Sequence, residues 1–485
     1  MINEPERHSN YIGGQWVPPQ TGEYYGIRNP AQPKQLLGQF PRSGAPDAEA
    51  AVAAAVAARD AWAAMPGPQR GALLYRFAQL LEESKMELGR IVTLEQGKTI
   101  GEATGEVGRA AVEARYMAGE ASRPIGQTFP SERAGYTCRT VREPIGVVAT
   151  ICPWNFPVVT PVRKIAPALA YGNTVVHKPA SLTPWTSVYL VRLFEQAGVP
   201  PGVVNLVCGA GATVGDSLVS NANVRGITFT GSSDIGTRIY EAAARRLAGV
   251  QLELGGKNPA IVIDYEDLDG AAREIVSAAF LCSGQRCTAL SRVIVGAAQA
   301  DALVRCLLDC IGRIRVGDGM LETTTMGPLI SLAQLRTVDG YVQQGLSSGC
   351  TLLCGGKALS ADPESEGYFY APTLFDRVKA DSALAREEIF GPVLPVIRVP
   401  DAETAVRVAN DTRYGLAAAV FTSRMNLAHE FARRLETGMV HINHGTASHA
   451  HVPFGGRKDS GQGAFSIGPT AQDFYTTVKT VYVRD

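Results

Sequence analysis

The sequence lacks an excess of charge of either sign. Lys and Arg together number 46, and Asp and Glu together also number 46, so the 485-residue chain has no formal net charge. No overall field draws it to DNA, RNA or an anionic membrane, and no Lys/Arg block of the size such partners need occurs along it. A long uninterrupted apolar run is missing too. The stretch from Pro144 to Val162 is uncharged, but Pro144, Pro153, Asn155, Pro157 and Pro161 break it into strand, loop and helix start rather than one spanning helix. The opening MINEPERHSN has neither a basic segment followed by an apolar core nor an Arg/Ser-rich amphipathic pattern, so a cytoplasmic protein is expected. Internal repeats and low-complexity linkers are absent. With 45% apolar and 19% charged residues, the composition is that of a folded globular chain.

Paired cysteine spacing of the disulfide or zinc kind is also scarce. The nine cysteines are an odd number spread from Cys138 to Cys354, which does not suggest a disulfide framework. Two pairs, Cys306/Cys310 and Cys350/Cys354, are spaced CxxxC. The first lies in an apolar helical pattern, ALVRCLLDCIGRI, where cysteine packs as a small hydrophobe, so no metal site is expected.

What is present is an alternation of helices and short buried strands. The opening 40 residues read as hairpin strands, and Pro46–Met65 as an Ala-rich helix. Residues 69–120 are helical, with Leu73, Leu74, Phe77, Leu80 and Leu81 on one face. Then GVVATICPW (146–154), NTVVHKP (173–179), VVNLVCG (203–209) and GITFTG (226–231) alternate with helices at 161–170, 184–197 and 211–220. Their apolar runs are continuous rather than alternating, as in parallel strands buried on both faces. A second series begins with NPAIVI (258–263), a helix at 267–281, SRVIVG (291–296) and a helix at 299–314. The tail FYTTVKTVYVRD (474–485) reads as a strand with an edge suited to another chain or domain.

Four local patterns can carry chemistry. In Ser283-Gly284-Gln285-Arg286-Cys287-Thr288, a glycine bend beside a cysteine lets a substrate reach the thiol. In Leu252-Glu253-Leu254-Gly255-Gly256-Lys257, a carboxylate at a strand end can serve as general base. In Cys152-Pro153-Trp154-Asn155-Phe156-Pro157, an Asn amide held between prolines can donate to an oxyanion. In Phe229-Thr230-Gly231-Ser232-Ser233-Asp234, a glycine before a helix start suits a pyrophosphate, although the GxGxxG fingerprint is missing. Singly, each has a plainer reading as a structural cysteine, a solvated Glu, an aromatic loop or an ordinary turn.

In their order and spacing these patterns resemble the aldehyde dehydrogenase superfamily: PWNFP, the KPA run at 178–180, FTGS, ELGGK, GQRC, Glu387-Glu388-Ile389-Phe390-Gly391-Pro392 and Pro453-Phe454-Gly455-Gly456. The resemblance spans essentially the whole chain. It implies two Rossmann-like, doubly wound α/β domains plus a small β oligomerisation element. Residues 1–122 and 144–254 would form the dinucleotide-binding domain, 255–470 the catalytic domain, and 123–143 with 471–485 the oligomerisation element of a homodimer or homotetramer. It implies Cys287 as nucleophile, Asn155 with the Cys287 N–H as oxyanion site, and Glu253 as the base that hydrolyses the thioester. Trp154, Lys178, Ser181, Gly231, Ser232, Leu254, Glu388 and Phe390 would meet the cofactor. Members preferring NAD usually carry Glu three positions after the cofactor lysine. Here that residue is Ser181, which adds no repulsion toward a 2′-phosphate, so NADP is expected to be favoured, with NAD also used.

Arg163, in PVRK, resembles the residue that binds the distal carboxylate in the family's succinate semialdehyde members. Their second arginine, six residues before the nucleophile, is here Leu281. The run GQRCTALSRVIV and the HVPFGG segment look more like α-ketoglutaric semialdehyde dehydrogenases. The expected substrate is therefore a medium-length aldehyde bearing a carboxylate, with Arg163 as its partner, α-ketoglutaric or succinic semialdehyde. The alternative keeps Arg163 in a salt bridge and admits uncharged aliphatic or aromatic aldehydes. Two further rivals have opposing residues. A non-catalytic structural relative would be expected to lose Cys287 or Glu253, and a CoA-acylating relative usually lacks the base. Cys282 reads either as a packed thiol or as an oxidative partner of Cys287. His441, His444, His449 and His451 lie in a segment expected at the substrate mouth, read as substrate contacts or surface residues before metal ligands.

Overall fold

The computed structural model describes residues 6–123 and 126–484. The start of the N-terminal segment, two residues of the expected oligomerisation element and the final residue fall outside the described residues.

Short strands open the chain: β1 (Asn10–Ile12), β2 (Gln15–Val17), β3 (Tyr24–Asn29) and β4 (Gln32–Pro41). The long helical stretch is four helices: α1 (Ala45–Ala64), α2 (Gly67–Glu83), α3 (Lys85–Gln96) and α4 (Ile100–Glu120). Gly97, at φ +100°, closes α3 with a left-handed residue that glycine takes without strain. Thr99 then starts α4 through a capping box with Glu102. After β5 (Thr128–Phe129) and β6 (Tyr136–Pro144) the αβ alternation begins with β7 (Val147–Ile151), α5 (Val159–Ala170), β8 (Thr174–Lys178), α6 (Pro184–Gln196) and β9 (Val204–Leu206). It continues with α7 (Asp216–Ser220), β10 (Val224–Thr230), α8 (Ser233–Ala244) and β11 (Gly249–Glu253).

The second series is β12 (Asn258–Val262), α9 (Leu268–Phe280), β13 (Leu290–Gly296), α10 (Ala297–Ile311), α11 (Leu332–Ser347), β14 (Thr351–Cys354), β15 (Thr373–Asp376) and β16 (Val393–Val399). It ends with β17 (Tyr414–Gly415), β18 (Ala417–Phe421), β19 (Met439–Ile442), β20 (Arg457–Lys458), β21 (Gly461–Gln462) and β22 (Thr476–Arg484).

Two sheets carry the molecule. The first has the order β2-β1-β9-β8-β7-β10-β11-β21, and β9 through β11 run parallel. The second has the order β14-β15-β16-β13-β12-β18-β19 and is parallel except for β14. Every residue of β7, β8 and β12 is buried, so each strand is sandwiched between helix layers. In the first sheet the winding reverses between β7 and β10, and the crevice beyond their carboxyl ends is where open α/β sheets bind ligands. In the second it reverses at β12. This is the two-unit, doubly wound α/β fold that the motifs implied.

One strand crosses the expected division of the chain. Gly461–Gln462 pairs with Leu252 and Glu253 of the first sheet, tying the late segment to the strand that ends in the candidate base. The tail strand β22 pairs antiparallel with β6 along its whole length. Val478, Tyr482 and Val483 of this strand are exposed apolar groups.

Candidate active site

A cavity of about 430 Å³ lies between the two sheets, and Cys287, Glu253, Asn155 and Arg163 all line it. Cys287 stands between α9 and β13. After Phe280 the chain leaves the helix through a tight turn in which Cys282 and Ser283 adopt φ of 54° and 56°. Non-glycine residues there store about 1–3 kcal/mol each and persist where their surroundings hold them. The Cys282 N–H donates to Glu102 Oε1 at 2.6 Å, and Ser283 Oγ donates to the Gly327 carbonyl at 2.7 Å. A Cβ on Gly284, at φ +71°, would approach the Gly391 carbonyl to 2.3 Å, so only glycine completes the turn. The turn ends the helix just short of its expected end at residue 281 and delivers Cys287, partly exposed, to the cavity.

Asn155, on the loop between β7 and α5, is held from both sides. Its Nδ2 donates to the Gln285 carbonyl at 3.0 Å, and its own carbonyl accepts from Lys98 Nζ at 2.7 Å. Lys98 pairs with Glu106 at 2.7 Å, and Glu106 also accepts from the Val158 and Val159 N–H groups at the start of α5. The second hydrogen of the Asn155 amide is left for a ligand. Lys98 and Glu106 were not foreseen as positioning residues. Lys98 lies in the short link between α3 and α4 and Glu106 in α4, a helix that reads only as packing, and the pair's sole sequence signal is a Lys directly after the helix-ending Gly97.

Glu253 ends β11. Its Oε1 accepts weakly from the Ser466 N–H at 3.4 Å, and its Oε2 is buried without a partner. Burial pushes its carboxyl up to about 7, against the pull of Lys164 and Arg163. Burial also pushes the Cys287 thiol up to about 11. Glu388 and Glu253 add to this rise, while Arg163 and Arg286 favour the thiolate.

The cofactor candidates gather at the crevice. Lys178 ends β8, and its buried Nζ donates to the carbonyl of its neighbour Pro179. Burial lowers it to about 8. Ser181 Oγ donates to the Gly209 carbonyl at 3.0 Å. Gly231 and Ser232 lead from β10 into α8, and the Ser232 hydroxyl makes no capping bond, so the first-turn N–H groups of α8 have no side-chain cap. Leu254 packs against Gly236 of α8, and its N–H donates to the Ser460 carbonyl. The Trp154 and Phe390 rings meet edge to face at 5.4 Å. Glu388 accepts from the Gly256 N–H at 3.0 Å. A Cβ on Gly255 would come within 2.2 Å of its carboxylate. A cation with only a neighbouring carbonyl for acceptor, and a helix start with uncapped N–H groups, fit the phosphates and ribose of a dinucleotide.

Arg163 lines the cavity as expected, but two of its three guanidinium nitrogens donate to Glu113, at 3.1 and 2.6 Å, and it stacks 4.5 Å from the Phe454 ring centroid. Arg109 shares the same carboxylate at 3.3 Å. Neither Glu113 nor Arg109 was singled out in the sequence, where each reads as part of a helix face. Removing Glu113, which is buried, leaves two cations facing each other. Glu113→Ala is expected to lower stability by roughly 3–5 kcal/mol, read as a shift of the denaturant midpoint. A loss below about 1 kcal/mol would mean the guanidinium groups find other partners.

Leu281 stands at the cavity wall where the semialdehyde relatives' second arginine is expected. Cys282 is buried, and its sulfur accepts from Gln96 Nε2 at 3.4 Å, the arrangement of a packed thiol. The four histidines form two ring pairs, His441–His444 at 5.1 Å and His449–His451 at 5.9 Å. It is Thr446, Ala447 and Ser448 between them that line the cavity. Among the described residues no group of three His, Cys, Asp or Glu could hold a metal ion, and no helix is long and apolar enough to cross a membrane.

A doubly wound pair of sheets, with a cysteine, a carboxylate and a held amide round one cavity beside a dinucleotide crevice, defines an oxidoreductase that works through a cysteine adduct. The model of the aldehyde dehydrogenase family matches residues 16–481, and the chain belongs to that family. It is 42% identical to the alpha-ketoglutaric semialdehyde dehydrogenase of Bacillus subtilis (strain 168), over 100% of this chain and 99% of that protein. It is 41% identical to the alpha-ketoglutarate semialdehyde dehydrogenase of Haloferax volcanii, over 98% of each. Among solved structures, an Escherichia coli NADP dependent enzyme superposes with a TM-score of 0.96 at 37% identity, covering 99% of this chain and 98% of that one. The family's activity, NAD(P)-dependent oxidation of an aldehyde, is the chemistry of this cavity.

Proposed function

We propose that the protein oxidises a carboxylate-bearing aldehyde, α-ketoglutaric or succinic semialdehyde, to the corresponding acid. The observation that carries this is the cationic wall of the cavity, where Arg109, Arg163 and Arg286 converge beside the nucleophile. The names borne by the Bacillus and Haloferax relatives support the same substrate class. Oxidation of α-ketoglutaric, succinic and glutaric semialdehydes against hexanal, benzaldehyde and betaine aldehyde tests it. The carboxylated substrates are expected to give the higher kcat/KM, and a preference for the neutral ones overturns it.

The Cys287 sulfur, as thiolate, adds to the aldehyde carbon. The oxygen that becomes negative is held by Asn155 Nδ2 and the Cys287 N–H, donors of a kind each contributing about 3–4 kcal/mol. Bound nicotinamide supplies the hydride acceptor that turns this adduct into a thioester. Glu253 takes a proton from water, which attacks the thioester carbon, and the acid departs as the cysteine sulfur is released. Lys178, Ser181 and Ser232, with the start of α8, would hold the ribose and phosphates of a bound dinucleotide, and Glu388 and Phe390 would meet its nicotinamide end.

Because Ser181 adds no negative charge at the adenine ribose, NADP is favoured and NAD is also used. The superposition on an NADP dependent enzyme supports this. Ser181→Glu sets a carboxylate against the 2′-phosphate and is expected to move the NADP/NAD ratio of kcat/KM toward NAD by about 100-fold. An unchanged ratio would place the 2′-phosphate elsewhere. The domain division given above and a cytoplasmic homodimer or homotetramer complete the reading. The oligomer is supported by the exposed apolar residues of the edge strand β22, which suit a neighbouring subunit.

A further inference from the structure

Of the four cations that line the cavity, Lys98, Arg109 and Arg163 have a carboxylate partner and Arg286 has none among the described residues. Lys98 is paired with Glu106, and Arg163 and Arg109 share Glu113. Glu102 is occupied, since its Oε1 accepts from the Cys282 N–H and its Oε2 from the N–H and hydroxyl of Thr99. Arg286, adjacent to the nucleophile and lining the cavity, has no carboxylate within ion-pair distance among the described residues. Its Nη2 reaches the Thr288 hydroxyl at a long 3.4 Å, and its Nε is buried with no hydrogen-bond partner at all. An arginine with an unmet buried donor, facing a cavity, is under-satisfied until an acceptor arrives.

We propose that Arg286, rather than Arg163, anchors the distal carboxylate of the substrate. This rests on the semialdehyde reading above and assigns its specificity to a residue. A carboxylate entering the cavity presents two acceptor oxygens to a guanidinium that in Arg286 holds only one long bond to a hydroxyl and in Arg163 is largely given to Glu113. It brings a negative charge to a wall on which Arg286 has no carboxylate partner. Arg163 then acts as a wall residue, fixed by Glu113 and by its stacking on Phe454.

The test compares α-ketoglutaric semialdehyde with pentanal, a neutral aldehyde of the same chain length. Arg286 also favours the Cys287 thiolate, so its removal slows both substrates, and the ratio of their kcat/KM values carries the answer. In Arg286→Met that ratio is expected to fall about 100-fold, chiefly through KM for the semialdehyde, while Arg286→Lys retains most of it. The variant Arg163→Met removes that guanidinium and leaves Glu113 paired with Arg109, so the buried carboxylate keeps a cation. Its ratio is expected to stay within threefold of the unaltered protein. If Arg286→Met keeps the ratio, or Arg163→Met alone loses it, the assignment to Arg286 is overturned while the semialdehyde reading stands. If the unaltered protein prefers pentanal, the semialdehyde reading fails by itself. Glutarate, as a competitive inhibitor of pentanal oxidation, then decides the anchor separately. A Ki raised at least 30-fold in Arg286→Met upholds it, and an unchanged Ki overturns it.

Discussion

Cys287→Ala is expected to abolish aldehyde oxidation, lowering kcat by roughly 10⁴-fold or more, while binding of NADPH stays within about twofold of the unaltered protein. The two effects separate because the groups are separate. Cys287 sits on the turn before β13, whereas Lys178, Ser181 and Ser232 sit at the ends of β8 and β10, in the other sheet. Alanine removes the sulfur without disturbing the left-handed residues Cys282 and Ser283, whose bonds run to Glu102 and Gly327. Turnover by initial rates and NADPH binding by fluorescence check both halves. Residual oxidation within 100-fold of the unaltered protein would mean that another group forms the adduct. Cys282 is a poor substitute, being buried and pushed up to about 11 by that burial.

How far the site was legible depends on the range over which each part is specified. Cys287, Glu253 and Asn155 stand in short runs rich in glycine or proline, where backbone shape and side chain are encoded together. The buried parallel strands were legible from continuous apolar runs such as VVATI and TVVHK. What could not be read is specified across distance. Arg163 and Glu113 are 50 residues apart on different helices, and nothing local to either announces a shared ion pair. Two-residue strands such as Gly461–Gln462 carry no alternation to detect. The left-handed turn at Cys282–Ser283 is made by residues with no preference for it, so only the packing of Gly284 against Gly391 reveals it. Arg286 lay in plain view inside GQRC, yet its significance is an absence of partners, which a sequence does not display.

Glu253→Gln is expected to leave formation of the thioester intact and to stop its hydrolysis. Mixing with aldehyde and NADP should give a single burst of about one reduced cofactor per active site, followed by a steady rate lower by roughly 10²–10⁴-fold. The pH dependence identifies the base. An ordinary glutamate ionises near 4.3, but burial holds Glu253 at about 7. Only the ionised carboxylate can take a proton from water, so the hydrolytic rate of the unaltered protein should rise with pH through about 7 and level off above it. In the Gln variant this limb should disappear. The same shift has a consequence for stability. A carboxyl whose folded value lies above its unfolded one favours the folded state while it is protonated, and that contribution is lost as pH rises through about 7. Glutamine keeps the neutral form at every pH, so the variant should be the more stable protein at pH 8, with the difference shrinking toward pH 5. A stopped-flow burst, a pH series of steady-state rates and denaturant midpoints at the two pH values read these three effects. Normal turnover in the variant would move the base to another group. A variant with a burst but no gain in stability at pH 8 would mean that Glu253 is hydrated in solution, and its value then lies near that of an ordinary carboxylate.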